Sequence, residues 1–135
     1  MEIKVYQVSI KVVLQKDNSL LLLWDKETGY IDLPGGRIDE DEKDAPMDEI
    51  IDREMKEELG EDVKYEIGDL AFVYRYSLTK EGGIDVFVVA YEGKYLGGDV
   101  VLSDEHDKYE WVDPKTFVIK DEEVRGEYHK RVYSE

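Results

Sequence analysis

The stretch Arg53–Gly60, "REMKEELG", holds three glutamates, Glu54, Glu57 and Glu58, within little more than one helical turn. Like charges at i, i+3 and i, i+4 repel by roughly 0.2–0.5 kcal/mol per pair on a helix. The whole chain already carries a formal charge of −16, so this crowding needs a reason other than solubility.

Residues 47–59, taken as a helix, turn by about 100° per residue on a helical wheel, and Glu54 sets the zero. Ile50, Met47, Ile51, Met55 and Leu59 then fall at roughly 320°, 20°, 60°, 100° and 140°, an apolar arc that must face a sheet. Glu54 and Glu58, at about 0° and 40°, lie inside that arc, and Glu57, at about 300°, lies at its edge. Asp52, Lys56 and Glu49 take the opposite side. A solvated acidic face would lie opposite the apolar one; here it continues the apolar stripe toward the helix C-terminus, where the dipole disfavours anions. Burying unpaired carboxylates is costly. Cations are the natural compensation, and hard divalent ions such as Mg²⁺ or Mn²⁺ favour carboxylate oxygen.

Working outward, "LPGG" at 33–36 precedes the helix and ends any regular element. Asp44 is placed to cap the helix, Pro46 suits its first turn, and Gly60 stops it. Residues 3–15 read as a strand, "DNS" at 17–19 as a turn, and "LLLLW" at 20–24 as a buried strand forming a hairpin with the first. Residues 62–79 return to strand character, with a bend at Gly68. "EGG" at 81–83 is a turn, "IDVFVVAYEG" a further strand, and "YEWV" at 109–112 a short one. Val124, Tyr128 and Val132 recur at i, i+4, i+8, which predicts a C-terminal helix over 121–134. The order of elements is α+β, a layered α/β/α pattern around a mixed sheet.

The length of 135 residues fits a single domain, 1–135. With 41% hydrophobic and 39% charged residues the composition is that of a folded globular chain. The absence of cysteine excludes disulfides and thiolate metal sites and points to a reducing cytoplasm. The acidic balance argues against duplex nucleic acid and against anionic membranes. The longest apolar run falls far short of a membrane span, which needs about 20 residues. A phosphorylated small molecule would need local cations, which bound metal ions supply.

Taken together, "GRIDEDEKDAPMDEIIDREMKEELGE" resembles the Nudix box, G-x5-E-x7-R-E-U-x-E-E-x-G-U with U apolar. Gly36, Glu42, Arg53, Glu54, Met55, Glu57, Glu58 and Gly60 match in type and order. "GYIDLPGGRID" and "EHDKYEWVDPKTF" are similar to the family's segments before and after the box, so the resemblance covers nearly the whole chain. Two departures stand out. Ten residues rather than seven separate Glu42 from Arg53, which leaves Glu40 or Asp41 as alternatives to Glu42. Glu61 replaces the last apolar position, with Val63 nearby.

The resemblance implies a Nudix-type sandwich and Mg²⁺- or Mn²⁺-dependent hydrolysis of a nucleoside diphosphate linked to another group. A nucleoside triphosphate with a normal or oxidised base is the first expectation. By position it implies metal ligation by Glu54, Glu57 and Glu58 and by the carbonyl of Gly35. Glu105 is the further acidic ligand, with Asp104 the alternative. Arg53 is expected to hold Glu42 and orient the helix. Such metals neutralise charge on phosphoryl oxygens and acidify water, and Glu58 or Glu105 is the candidate base.

For substrate contact, Arg37 and Arg75 suit phosphates. Tyr30, Tyr74, Tyr76, Phe87 and Trp24 are candidates to stack on a base. His106 is expected in a loop hydrogen bond, with assistance to catalysis as the alternative, and Trp111 in the core. The implied partner is a small nucleotide, and the family resemblance admits a homodimer. A non-catalytic relative binding a nucleotide or partner protein through the same cleft is the alternative; retention of the three helix glutamates and PGG argues against it.

Overall fold

The computed structural model describes residues 1–78 and 83–123. Seven strands form one mixed sheet: β1 (Gln7–Lys16), β2 (Ser19–Asp25), β3 (Ile31–Asp32), β4 (Gly35–Arg37), β5 (Lys64–Leu78), β6 (Ile84–Gly97) and β7 (His106–Val112). Among the described residues one α-helix, α1 (Met47–Leu59), crosses it. The main path of neighbours runs β3-β2-β1-β6-β5, with β4 paired to β1 and β7 to β2. Every pairing is antiparallel except β1 with β6, where Gln7 faces Val86 and Gln15 faces Lys94.

The run at 20–24 is continuously apolar because the sheet is buried on both sides at β2. Leu21 and Leu23 join Ile10, Val12 and Leu14 of β1 beneath Ile50, Ile51, Met55 and Leu59 of α1. Leu22 and Trp24 point the other way, into a second cluster with Ile31, Leu33 and Val112 that Phe117 and Ile119 help to cover. Burying each of Ile51, Met55 and Leu59 contributes roughly 1.5–3 kcal/mol relative to exposure.

Both ends of α1 obey local chemistry, though not wholly as the sequence predicts. Asp44 does not cap the helix. Pro46 occupies that position with an extended backbone (ψ 145°) and no side-chain cap, since proline's fixed φ already starts the helix. Gly60 ends the helix at φ +88°, and its N–H still reaches the Lys56 carbonyl at 3.0 Å. Met47, assigned to the apolar arc, is 41% exposed because it sits in the first turn, at the rim of the sheet.

The bend expected at Gly68 appears as a slip in the β5–β6 register between Ile67 and Leu70. β6 runs on to Gly97, and β7 starts at His106 rather than Tyr109. The expected mixed-sheet sandwich is thus in place, with α1 covering one face. Of the segment expected as a second helix, only a 3-10 turn at Asp121–Glu123 is described; 124–134 lie outside the described residues, as does most of the turn expected at 81–83.

Candidate active site

The end of α1, the β3–β4 segment and the loop 103–105 before β7 surround a cavity of about 710 Å³. Glu54, Glu57, Glu58, Glu105, Gly35, Arg53, Arg37, Tyr30 and Tyr76 all line it, as do Asp104 and Tyr74. Arg75 does not. On β5 the alternation that sends Tyr74 and Tyr76 toward the cavity sends Arg75 to the other face, where it is exposed. Trp24 and Phe87 also lie elsewhere. Trp24 packs edge-on to Phe117 at 6.3 Å and donates to Glu123, and Phe87 packs edge-on to Tyr6. Trp111 stacks at a tilt on Tyr95, 5.0 Å away, beside the main core.

Arg53 organises the acidic wall. Its Nε donates to Glu42 Oε2 at 2.6 Å and its Nη2 to Glu42 Oε1 at 2.5 Å, a two-pronged match of guanidinium and carboxylate. Nη2 also reaches Glu54 Oε1 at 2.8 Å, and Nη1 reaches Glu57 Oε2 at 3.1 Å. The hydrogen bonds from Arg53 hold the Glu42 carboxyl below its ordinary range, and those to Glu42 raise the guanidinium. The three-residue insertion therefore leaves Glu42 as the partner of Arg53. Just before the insertion, Glu40–Glu42 coil into a 3-10 turn, and the Asp39 N–H donates to Glu42 Oε1 at 3.0 Å.

The wheel's prediction is met at each glutamate. Glu54 and Glu58 are each 5% exposed, whereas Glu57 is exposed at the edge. Burial pushes the Glu54 carboxyl up to about 7 against the opposing charge of Arg53. Glu58 Oε2 lies 3.1 Å from His106 Nδ1 and accepts from the Ser103 hydroxyl at 3.3 Å. Ligand atoms of Glu58, Glu105 and His106 all lie within 4.8 Å of one another. Burial disfavours the His106 imidazolium, but Asp32 and Glu58 outweigh it and lift the ring to about 9.

Lys11 and Asp32 also line the cavity, and sequence reasoning missed both. The available signal was a lysine interrupting the apolar run of β1 between Ile10 and Val12.

The glycines at 35 and 36 are needed for two different reasons. Gly35 has φ +133°, and a Cβ there would run into the Ile10 carbonyl. A Cβ on Gly36 would stand 2.5 Å from Glu54 Oε2. Gly36→Ala is therefore expected to displace the Glu54 carboxylate and to cut turnover on the order of 100-fold. Its melting temperature should stay near that of the parent. Steady-state rates alongside a thermal melt check this, and a collapse of both together would point to misfolding instead.

The side chains and carbonyl that the family resemblance implies as metal ligands offer only oxygen: three helix carboxylates, Glu105 and a backbone carbonyl. That chemistry fits a hard divalent cation rather than a soft one. The buried, upshifted Glu54 fits too, since it is a carboxylate with too little positive charge around it.

The family model for the NUDIX domain matches residues 5–133. The chain belongs to the NUDIX family. Membership makes it a hydrolase acting on acid anhydrides. The MutT protein of Methanosarcina mazei Go1 is 28% identical, with a TM-score of 0.77 over 97% of this chain and 91% of that one. A MutT NUDIX hydrolase from Burkholderia pseudomallei is 23% identical, with a TM-score of 0.74 over 97% of each chain. The dihydroneopterin triphosphate pyrophosphohydrolase of E. coli shares the fold at 19% identity, with a TM-score of 0.66 over 96% of this chain and 95% of that one. No curated protein matches the chain at a significant level. Among the described residues, no helix of this NUDIX domain is long and apolar enough to cross a membrane.

Proposed function

We propose that this NUDIX domain hydrolyses a phosphoanhydride bond in a nucleoside diphosphate linked to another group, using Mg²⁺ or Mn²⁺. Nucleoside triphosphates with ordinary or oxidised bases are the first substrate class. The observation that carries the reading is the convergence of Glu54, Glu57, Glu58, Glu105 and Gly35 on one cavity that Arg37, Tyr30 and Tyr76 also line. A reading as a binding module has no comparable support, because binding alone does not call for four carboxylates facing an anionic ligand.

Glu54, Glu57, Glu58, Glu105 and the Gly35 carbonyl would hold the metal. When bound, a divalent cation supplies charge neutralisation at the phosphoryl oxygens and a more acidic water. Glu58 or Glu105 takes the proton from the attacking water. Arg37 meets phosphate oxygens from the β4 side, and Tyr30 and Tyr76 flank the base. Arg53 acts through Glu42, Glu54 and Glu57 by fixing the acidic wall. We infer a reducing cytoplasm as the setting, a reading that the lack of cysteine supports.

The test is a panel of nucleoside triphosphates, nucleotide sugars, ADP-ribose and dinucleoside polyphosphates with Mg²⁺ or Mn²⁺, read by product mass. Release of a nucleoside monophosphate and pyrophosphate from a triphosphate is expected. Inertness toward the whole panel with both metals would sink the proposal.

A further inference from the structure

Four ionisable side chains from four elements form a continuous row at the cavity: Lys11, Asp32 and Glu58 line its wall, and His106 lies buried beside them. Lys11 Nζ on β1 lies 3.0 Å from Asp32 Oδ1 on β3. Asp32 Oδ2 lies 3.4 Å from His106 Nε2 on β7, and His106 Nδ1 lies 3.1 Å from Glu58 Oε2 on α1. The Lys11 and His106 side chains are 12% and 2% exposed. Neither imidazole nitrogen is aligned for a hydrogen bond despite these distances.

Lys11 has a second attachment. Its ammonium donates to the Leu33 carbonyl at 3.2 Å and to the Gly35 carbonyl at 3.3 Å. Between them, the Pro34 carbonyl accepts from the Val12 N–H at 2.9 Å. Two consecutive β1 residues thus hold all three carbonyls of the segment that delivers Gly35.

We propose that Lys11 is a positioning residue: it fixes the Gly35 carbonyl directly, and the Glu58 carboxylate through Asp32 and His106, as ligands for a divalent cation. This rests on the metal-dependent reading above. Stability alone does not account for the row. Replacing a buried ionic array with apolar residues of similar volume is often neutral or stabilising. What an apolar side chain at position 11 could not do is hold two carbonyls and a carboxylate at once. Groups behind metal ligands that orient them typically alter metal affinity by about 10–100-fold when removed.

Electrostatics and positioning predict opposite signs, which makes the test decisive. Removing the Lys11 ammonium makes the site more negative, so Coulomb attraction alone predicts tighter cation binding. Positioning predicts weaker binding. The experiment is titration calorimetry of the full chain with Mn²⁺ and no substrate, on wild type and Lys11→Met, each with a thermal melt.

A folded Lys11→Met protein that binds Mn²⁺ at least about tenfold more weakly is the expected result. Equal or tighter binding overturns the inference. If Lys11→Met does not fold, His106→Gln and His106→Phe decide, because glutamine keeps a donor for Glu58 and phenylalanine does not. Affinity retained with Gln and lost with Phe supports positioning, and equal affinities overturn it. A wild type that binds Mn²⁺ and turns over, with unchanged variants, removes only this inference. A wild type that does neither removes the proposed function with it.

Discussion

Glu58→Gln is expected to lower the proposed metal-dependent hydrolysis by about 10²–10⁴-fold, the range that loss of a positioned proton acceptor produces. The substitution keeps shape and burial while removing the charge. Glu58 is 5% exposed and lies against His106 and the Ser103 hydroxyl, so the amide has neighbours to hold it in place. A thermal melt should therefore show a folded protein. Glu105→Gln serves as the comparison. Glu105 is exposed and its backbone carbonyl, rather than its carboxylate, is tied down by the Lys26 N–H at 2.9 Å. With Mn²⁺ affinity measured alongside, a larger loss of turnover at position 58 at saturating metal identifies Glu58 as the base, a larger loss at 105 identifies Glu105, and full turnover in both variants would remove the mechanism.

Arg53→Lys should be the most damaging conservative change in the chain. Lysine keeps the charge but has one compact ammonium where arginine has a rigid fork. That fork serves Glu42, Glu54 and Glu57 together. Hydrogen bonds to charged groups contribute roughly 1.5–3 kcal/mol each, and losses within this shared network will not add. We expect a destabilisation of about 2 kcal/mol in denaturant unfolding, together with weaker Mn²⁺ binding as Glu54 and Glu57 lose their anchor. A cycle with Glu42→Gln checks the cause: residues in one network couple by about 0.5–3 kcal/mol, whereas distant ones are additive. Strict additivity would mean that the pair seen between the 3-10 turn and α1 contributes nothing of its own.

The parts of the fold that rest on local periodicity were legible in the sequence. The wheel separated Glu54 and Glu58 from Glu57 because a helix of fixed pitch puts residues 50, 51, 54, 55, 58 and 59 on one buried stripe. The "LLLLW" run read as a buried strand, and the structure buries it on both faces. What needed the third dimension was lost. Nothing local says that β1 pairs with β4, with Lys11 opposite Gly35, so nothing local says that Lys11 ends up 3.0 Å from Asp32. The face of Arg75 was hidden for a related reason. Its direction follows from the phase of β5's alternation, and that phase slips at Ile67 and Leu70. The capping role given to Asp44 failed because Pro46, two residues on, imposes its own φ and starts the helix there.

The parallel pairing of β1 with β6 sets a schedule for the chain's birth. At synthesis rates of about 5–20 residues per second, the partner of Gln7, Val86, is made on the order of ten seconds after it. Until then β1 has only its hairpin mate β2 and the short β4, and Ile10, Val12 and Leu14 wait with one flank open. Closing so distant a contact makes folding slow compared with a helical bundle of equal size. A nascent chain of this topology spends that interval exposed to aggregation, and crowding by its neighbours on a polysome would lengthen the risk.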